Sequence, residues 1–206
     1  AWSVMERIYR PVARAGRPII QTDVKSAEII KYASNSFLAT KISFINEIAN
    51  FCAIVGGNAK EVARGMGFDT RIGSRFLSAG IGYGGSCFPK DVKALLHTGR
   101  ENGYEFTILE AVRAANEKQK LLPIGFLKKS LKTLKGKRIA VWGLSFKPRT
   151  DDVREAPALL IIETLLKSGA SVVAFDPVAT ENAKTVLKSN ARLKFAKDQY
   201  AATDGA

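Results

Sequence analysis

The stretch RIAVWGLSFKPRTDDVREAPALLIIETLLKSGASVVAFDP, residues 138–177, decides the fold of the second half of the chain. Its first seven residues are a short apolar run that predicts a strand over 138–144, and SVVAF predicts a second strand over 171–175. The apolar residues between them recur at helical spacing and predict a helix over 156–166. A strand, a helix and a strand in this order predict a β-α-β unit with two parallel strands.

This unit has the layout of a nucleotide-binding fold without its glycine-rich fingerprint. Gly143 ends the first predicted strand and Asp176 follows the second, as in such folds. However, Gly143 is followed by Leu-Ser-Phe-Lys-Pro rather than by further glycines, so we do not expect a standard dinucleotide site here. Lys147 and Arg154 remain as cations in the loop before the helix, suited to a phosphate or the edge of a base, or simply to a solvated loop.

The segment GIGYGGSCFPKD, residues 80–91, places one cysteine behind four glycines and shortly before a proline. Pro89 suits the first turn of a helix because its missing N–H is not needed there, so Cys87 is predicted at a helix N-terminus. The positive end of the helix dipole favours the thiolate, which is the reactive form. Asp91 follows four residues later and shares a helix face with the cysteine. We therefore predict a nucleophilic cysteine with a carboxylate nearby.

Three glycines of this segment also satisfy the dinucleotide pattern G-x-G-x-x-G. A true fingerprint needs a strand before it and a helix that begins within it. Residues 70–79, TRIGSRFLSA, contain no alternating or β-branched run. The match is one of spacing alone.

The first part of the chain, to about residue 133, has helical periodicity. Residues 24–55 fit one long amphipathic helix, with apolar positions Ile30, Phe37, Leu38, Ile42, Ile45, Ile48 and Cys52. Lys31 and Asn35, at i and i+4, can point into one site, although a solvated lysine and an exposed asparagine have the same spacing.

Three further helices are predicted downstream. Asn58 caps a short helix that runs to Arg64 and is ended by Gly65 and Gly67. A second helix runs from Pro89 to Glu101, and a long one runs from 107 to 132. Its candidate buried residues are Ile108, Val112, Ala115, Leu122, Phe126 and Leu127.

The formal net charge of +13, from 32 Lys and Arg against 19 Asp and Glu, raises the question of a nucleic-acid partner. The basic residues are scattered, with one cluster at residues 128–138 beside a helix end. This distribution favours a solvated basic face or attraction for phosphorylated small molecules over nucleic-acid binding.

Histidine and cysteine usage limits the chemistry further. The single histidine, His97, lies ten residues after Cys87 on the same predicted helix, which is poor geometry for activating that thiol. Cys52 and Cys87 suggest neither a disulfide framework nor a metal site, and Cys52 is expected to be buried. We find no uninterrupted apolar run of about 20 residues and no secretory signal, so a cytoplasmic protein is expected.

Four segments of the chain resemble the UDP-glucose 6-dehydrogenase family in order and spacing. They are AEIIKYASN (27–35), RIG (71–73), GYGGSCFPKD (82–91) and GLSFK to RE (143–155). The resemblance extends over nearly the whole chain. It implies oxidation of UDP-glucose to UDP-glucuronate with two NAD, through a thiohemiacetal and a thioester on the cysteine.

The resemblance also implies residue roles. Cys87 would be the nucleophile, Lys31 and Asn35 would stabilise the developing oxyanion, and Asp91 would position or activate the hydrolytic water. The implied substrate contacts are Phe76, Leu77, Ser78, Ala79, Gly80, Gly84, Phe146 and Lys147, together with Arg71 reaching in from a neighbouring subunit. Lys90 and Arg154 would contact the cofactor.

The expected fold class is α plus α/β. Residues 23–133 would form an all-helical central dimerisation domain, and residues 134–206 part of a Rossmann-like domain that binds the nucleotide sugar. Residues 1–22 resemble the tail of an N-terminal NAD-binding domain outside these residues, so the chain alone is not expected to turn over NAD. The long helix implies a homodimer.

Two alternatives stay open. A dehydrogenase of GDP-mannose or of a UDP-N-acetylhexosamine would use the same chemistry. A non-catalytic dimerisation or basic binding module would leave Cys87 unreactive and bind nucleic acid in a salt-sensitive way.

Overall fold

A computed structural model describes residues 1–13 and 18–206. Six helices come first: α1 (Trp2–Ala13), α2 (Val24–Val55), α3 (Ala59–Phe68), α4 (Phe88–Glu101), α5 (Thr107–Lys120) and α6 (Leu122–Leu131). They are followed by β1 (Arg138–Trp142), α7 (Pro157–Lys167), β2 (Ser171–Phe175), α8 (Thr180–Val186), β3 (Leu193–Phe195) and α9 (Gln199–Thr203). The predicted tail at 1–22 includes residues 14–17, which lie outside the described part.

Helix α2 has the predicted bounds because both of its ends are capped. The Asp23 side chain accepts a hydrogen bond of 2.9 Å from the Ser26 amide, which satisfies one of the free N–H groups of the first turn. Gly56 ends the helix in the left-handed conformation with φ 79°, which costs glycine little. Helix α2 packs against α4 and α5, with Ile45 and Cys52 buried.

By length and composition, α2 is also long and apolar enough to cross a membrane, although polar residues interrupt its apolar run. The central helix of a helical domain passes the same test. The buried polar residues Ser43 and Asn46 face protein here, since the Ser43 hydroxyl donates to the Val112 carbonyl at 3.4 Å and Asn46 accepts from Gly80 at 2.8 Å.

The predicted helix over 107–132 is wrong, because the chain forms two helices that meet at Leu121. Pro123 lacks an amide N–H and cannot continue the hydrogen bonds of α5, but it suits the first turn of α6. The burial also differs from the prediction. Val112 is buried, whereas Ile108 and Phe126 are 70% and 59% exposed.

The helix after Asn58 is longer than predicted. Asn58 caps it through hydrogen bonds from the Lys60 and Glu61 amides, but the helix continues through both glycines to Phe68. A Cβ at Gly67 would lie 3.0 Å from the Ser74 Cα. This glycine therefore allows the following loop to pack closely instead of ending the helix.

The β-α-β prediction is confirmed. Strands β1 and β2 are parallel, with Arg138 opposite Ser171 and Trp142 opposite Phe175. The short strand β3 adds to the other edge of β2, also in parallel. Helix α7 covers the sheet, and its residues Ile162 and Leu165 are fully buried in the core of this half.

Asp176, the acid at the end of β2, is used by the fold. Its carboxylate accepts hydrogen bonds from the backbone amides of Leu144 at 2.8 Å and of Val178 and Ala179 at 2.8 Å each. Burial raises the pKa of Asp176, but these amides outweigh burial and keep its pKa below the usual range. Asp176 thus joins the β1 loop to the turn before α8.

Candidate functional site

Cys87 lies at the start of α4, as predicted. It is the residue directly before Phe88, the first residue of the helix, and Pro89 lies in the first turn. The Cys87 carbonyl accepts a hydrogen bond of 2.9 Å from the Asp91 amide, so cysteine and aspartate are one helical turn apart. The thiol is free and exposed, and the Ser86 hydroxyl lies 3.8 Å from its Sγ.

The Asp91 carboxylate joins α4 to α2. One oxygen, Oδ2, accepts from Lys31 Nζ at 3.1 Å and from Asn35 Nδ2 at 2.5 Å. The other, Oδ1, accepts from Lys90 Nζ at 2.5 Å. The Lys90 ammonium also lies 5.7 Å from the centre of the Tyr32 ring. The structure therefore brings together Lys31, Asn35, Lys90 and Asp91 beside the cysteine.

Asp91 is only 2% exposed, yet it is ionised. Burial raises its pKa, but the hydrogen bonds from Lys90, Asn35 and Lys31 together outweigh burial and hold the pKa below the usual range of an aspartate. The pKa of Lys90 is raised, mainly by its hydrogen bond to Asp91.

The loop before Cys87 packs through aromatic side chains and through its backbone. The Phe88 ring meets the rings of Phe76 and Tyr83 edge-on, with centroids 6.1 and 5.9 Å apart. Burial and the nearby charge of Glu117 raise the pKa of Tyr83 to about 12, so its phenol is neutral and not a base. Leu77 is buried, whereas the predicted contacts Ser78, Ala79 and Gly80 are exposed.

Three buried carboxamides that sequence reasoning missed hold this loop. Asn46 of α2 accepts from the Gly80 amide at 2.8 Å, and Gln119 of α5 donates to the Gly80 carbonyl at 2.7 Å. Asn116 accepts from the Tyr83 amide at 2.8 Å and donates to its carbonyl at 3.1 Å. The sequence signal that could have identified these residues is a polar amide at a helix position that otherwise faces the core.

Two adjacent glycines attach the loop to the α/β half. The Gly85 amide donates to the Arg154 carbonyl at 2.8 Å, and a Cβ on Gly85 would lie 2.7 Å from the Phe146 ring. A Cβ on Gly84 would lie 2.2 Å from the Glu155 carbonyl oxygen. Lys93 and Glu155 add an ion pair of 2.7 Å across the same boundary.

An open cleft of about 590 Å³ lies at this boundary. Its lining includes the predicted cofactor contacts Lys90 and Arg154, and Gly85 and Ser86 place it beside Cys87. Arg154 pairs with Asp152 through Nε at 2.9 Å and Nη2 at 2.7 Å. These hydrogen bonds lower the pKa of Asp152 to about 2, so the pair stays ionised.

Other predicted residues have different surroundings. Arg71 is exposed and pairs with Asp69, and Lys147 lies over the Phe146 ring with Nζ 5.1 Å from its centre. His97 pairs with Glu101 on the surface of α4. Within residues 1–13 and 18–206, no cluster of three His, Cys, Asp or Glu side chains could hold a metal ion.

Comparisons with known proteins place this geometry in context. The central-domain model of the UDP-glucose/GDP-mannose dehydrogenase family matches residues 25–118, and the UDP-binding-domain model of that family matches residues 140–206. The UDP-glucose 6-dehydrogenase TuaD of Bacillus subtilis is 48% identical over 99% of the chain, which spans 43% of TuaD.

Two solved structures agree with these matches. A UDP-glucose dehydrogenase of Pyrobaculum islandicum matches this chain with a TM-score of 0.92 and 39% sequence identity. The match covers 98% of this chain and 46% of the Pyrobaculum protein. A UDP-D-ManNAc dehydrogenase of Pyrococcus horikoshii matches with a TM-score of 0.68 and 30% sequence identity. This match covers 76% of this chain and 37% of the Pyrococcus protein. The chain thus spans less than half the length of these relatives.

Proposed function

Because the chain belongs to the UDP-glucose/GDP-mannose dehydrogenase family, we propose that it carries the nucleophile and the nucleotide-sugar surface of an enzyme that oxidises UDP-glucose to UDP-glucuronate with two NAD. The observation that carries this proposal is an exposed cysteine at a helix N-terminus, one turn before a buried aspartate that binds Lys31 and Asn35. We assign the nucleophile to a helical domain at 23–133 and the nucleotide surface to an α/β domain at 134–206.

Covalent catalysis begins when Cys87 Sγ adds to the C6 aldehyde of the partly oxidised sugar. The C=O π bond breaks and the carbonyl oxygen becomes an alkoxide, which takes up the proton lost by the thiol to give the thiohemiacetal. Lys31 Nζ carries three N–H donors and the Asn35 amide carries two. Each uses one on Asp91, so both retain donors for the oxyanion, each worth about 3 kcal/mol to the transition state. Asp91 orients these two side chains.

Asp91 is suited to hold the hydrolytic water rather than to take its proton. A general base works best when its pKa lies near the operating pH, whereas the contacts of Asp91 keep its pKa low. An ionised carboxylate is an acceptor only, so it can fix a water by one O–H and direct its lone pair at the thioester carbon. As the C–S bond breaks, the proton of the water passes to the leaving Cys87 thiolate.

The contribution of this chain to cofactor binding is confined to the cleft. NAD, when bound, would accept the hydride from C6. The β1–β2 end of the sheet does not fit a dinucleotide, because Gly143 is not followed by further glycines and backbone amides occupy Asp176. Lys90 and Arg154 do fit an anionic edge of NAD, since Arg154 uses only two of its five N–H donors on Asp152.

The substrate contacts are part of the proposal. Phe76 to Gly80 and Gly84 would face the sugar, and Phe146 and Lys147 would face the nucleotide, with Arg71 contributed across a subunit boundary. The higher structural similarity to a UDP-glucose dehydrogenase than to a UDP-D-ManNAc dehydrogenase favours glucose over an N-acetylhexosamine. GDP-mannose is the remaining candidate, because the family includes enzymes of that sugar.

A homodimer through α2 is supported by an unpartnered apolar stripe. Ile30, Phe37, Phe44 and Phe51 recur every seven residues and are 49%, 65%, 48% and 58% exposed. A heptad row on one helix face is typical of helix pairing. A reducing compartment such as the cytoplasm fits the exposed free thiol of Cys87.

The nucleophile is tested by protection from alkylation. UDP-glucose, and more strongly its C6 aldehyde, should slow the labelling of Cys87 by iodoacetamide, measured by mass spectrometry. Slow labelling of the buried Cys52 shows that the fold is intact. Titration calorimetry should show UDP-glucose binding that Lys147→Ala weakens and Lys60→Ala does not. If neither compound slows labelling at millimolar concentration, the assignment of Cys87 is refuted.

A further inference from the structure

The loop that leads to Cys87 is held at two residues by side chains instead of by a neighbouring strand. Both backbone polar groups of Gly80 are bonded, the amide to Asn46 Oδ1 at 2.8 Å and the carbonyl to Gln119 Nε2 at 2.7 Å. Both backbone polar groups of Tyr83 are bonded to the single amide of Asn116, at 2.8 and 3.1 Å. We call Asn46, Asn116 and Gln119 the amide clamp.

The amide clamp lies in the interior. Asn46, Asn116 and Gln119 are 1%, 2% and 7% exposed, so these side chains are shielded from bulk water and a hydrogen bond left unmade by one of them is costly. Asn50 of α2 adds a second layer by donating to Gln119 Oε1 at 2.8 Å. That bond fixes which end of the Gln119 amide faces Gly80, since the other end must donate.

The loop sequence fits the amide clamp closely. Gly82, between the two held residues, has φ +94°, and a Cβ there would lie 2.9 Å from Asn116 Oδ1. Only glycine can therefore pass under this amide without displacing it. At the other end, Asn46 Nδ2 is buried without a partner among the described residues. Leaving a buried donor unpaired is destabilising, and an apolar side chain at position 46 would avoid this cost.

The placement of the clamp explains why an asparagine is useful there. Asn46 lies on α2, the helix that also carries Lys31 and Asn35. Asn116 and Gln119 lie on α5, which packs against α2. The amide clamp therefore sets the position of residues 80–83 relative to the two oxyanion donors, and residues 80–83 lead directly to Cys87.

We propose that Asn46, Asn116 and Gln119 are positioning residues, which hold the loop so that bound nucleotide sugar and the Cys87 thiol meet the donors of α2. The proposal rests on the assignment of Cys87 and of the sugar contacts above. None of the three amides needs to touch the substrate. Their effect reaches the site through the backbone of Gly80 and Tyr83.

The test compares Asn116→Ala, Gln119→Ala and Gln119→Glu with Asn102→Ala in the purified chain. Gln119→Glu keeps the shape and the acceptor for Asn50 but loses the donor to Gly80. Asn102 is an exposed control outside the clamp, because its amide also donates to a backbone carbonyl, that of Thr98 at 2.8 Å, at the far end of α4. Two quantities are measured: amide hydrogen exchange over residues 76–87, and the UDP-glucose concentration that half-protects Cys87 from iodoacetamide.

Loss of one to two hydrogen bonds should speed exchange at Tyr83 in Asn116→Ala by about tenfold and raise the half-protecting concentration by a similar factor. Gln119→Glu should behave like Gln119→Ala, and Asn102→Ala like the unsubstituted chain. Labelling of Cys52, which is 5% exposed, should stay slow in all of them. A variant in which Cys52 is labelled rapidly is globally unfolded and is set aside. The remaining variants then decide whether the clamp positions the loop.

Two results would overturn the proposal. Unchanged exchange in both Asn116→Ala and Gln119→Glu would show that the clamp does not hold the loop. Faster exchange with an unchanged half-protecting concentration would show that it has only a structural role. If neither UDP-glucose nor its C6 aldehyde protects even the unsubstituted chain, the proposed function fails, and exchange at Gly80 and Tyr83 still decides whether the clamp exists.

Discussion

Replacing Gly84 by alanine tests how the cysteine loop sits on the α/β half. The new Cβ would lie 2.2 Å from the Glu155 carbonyl oxygen and 2.8 Å from its carbonyl carbon. An ordinary carbon–oxygen contact is about 3.3 Å, so one backbone must move by about 1 Å. The neighbouring hydrogen bond from the Gly85 amide to the Arg154 carbonyl, 2.8 Å long, would then be lost or stretched.

The expected cost combines overpacking of about 1–3 kcal/mol with about 1 kcal/mol for the hydrogen bond. For a chain of this size, a loss of about 2–4 kcal/mol lowers the melting temperature by about 5–15 °C. Gly80→Ala is the matched control, since a Cβ at Gly80 meets nothing within 4 Å. Both substitutions reduce the conformational freedom of the unfolded chain equally. The difference between their melting temperatures therefore isolates the contact between position 84 and the Glu155 backbone.

Thermal unfolding followed by circular dichroism measures this difference. Gly84→Ala should melt well below Gly80→Ala, and its Cys87 should become less well protected by UDP-glucose. Equal melting temperatures for the two variants would refute the reasoning, because they would mean that the loop and the Glu155 backbone are not in contact.

Three further predictions concern ionisation, assembly and turnover. The contacts of Asp91 keep its pKa low. Its ionised form therefore stabilises the fold above about pH 4, which is the pKa of an unfolded aspartate. This stabilisation is lost as the pH falls through the lowered pKa of the folded state. The difference in melting temperature between the unsubstituted chain and Asp91→Asn should thus be constant from about pH 5 to 7 and shrink below about pH 4. A difference in melting temperature that grows on acidification would contradict this prediction. Phe44→Glu should convert the proposed α2 dimer to a monomer in light scattering, whereas Phe68→Glu, on a phenylalanine 75% exposed outside the stripe, should not. A dimer that survives Phe44→Glu, or a stripe that binds lipid vesicles instead, would exclude the α2 interface. Incubated with UDP-glucose and NAD, the chain should form no more NADH than Cys87→Ser, because the β1–β2 end does not fit a dinucleotide; NADH formation above that control would show this to be wrong.

Local patterns in the sequence determined most of the elements. The bounds of α2 follow from Asp23 and Gly56, whose capping preferences act within one turn. The β-α-β unit follows from two β-branched runs around an apolar helix. The position of Cys87 at the start of α4 follows from Pro89, because its ring and missing N–H restrict it to the first turn. All three depend on contacts within a few residues.

Elements that depend on distant partners were predicted poorly. The helix after Asn58 continues past Gly67, where the following loop packs closely at Ser74. Helical spacing alone did not show that Ile108 and Phe126 stay exposed. In the α/β half, β3 has only three residues and forms by pairing with β2. No local signal identifies a strand of that length.

The resemblance named the candidate site residues, but only the tertiary structure decided what each one touches. Asp91 and Asn35 are 56 residues apart, and Gly80 and Gln119 are 39 apart. The sequence shows that Lys31 and Asn35 share a helix face, but not that the Asp91 carboxylate lies between them and Lys90. Buried amides such as Asn116 resemble any polar helix residue until the loop that they bind is in place. Hydrogen bonds between residues far apart in sequence form only when the helices pack, and for that physical reason the site could not be assembled from local patterns.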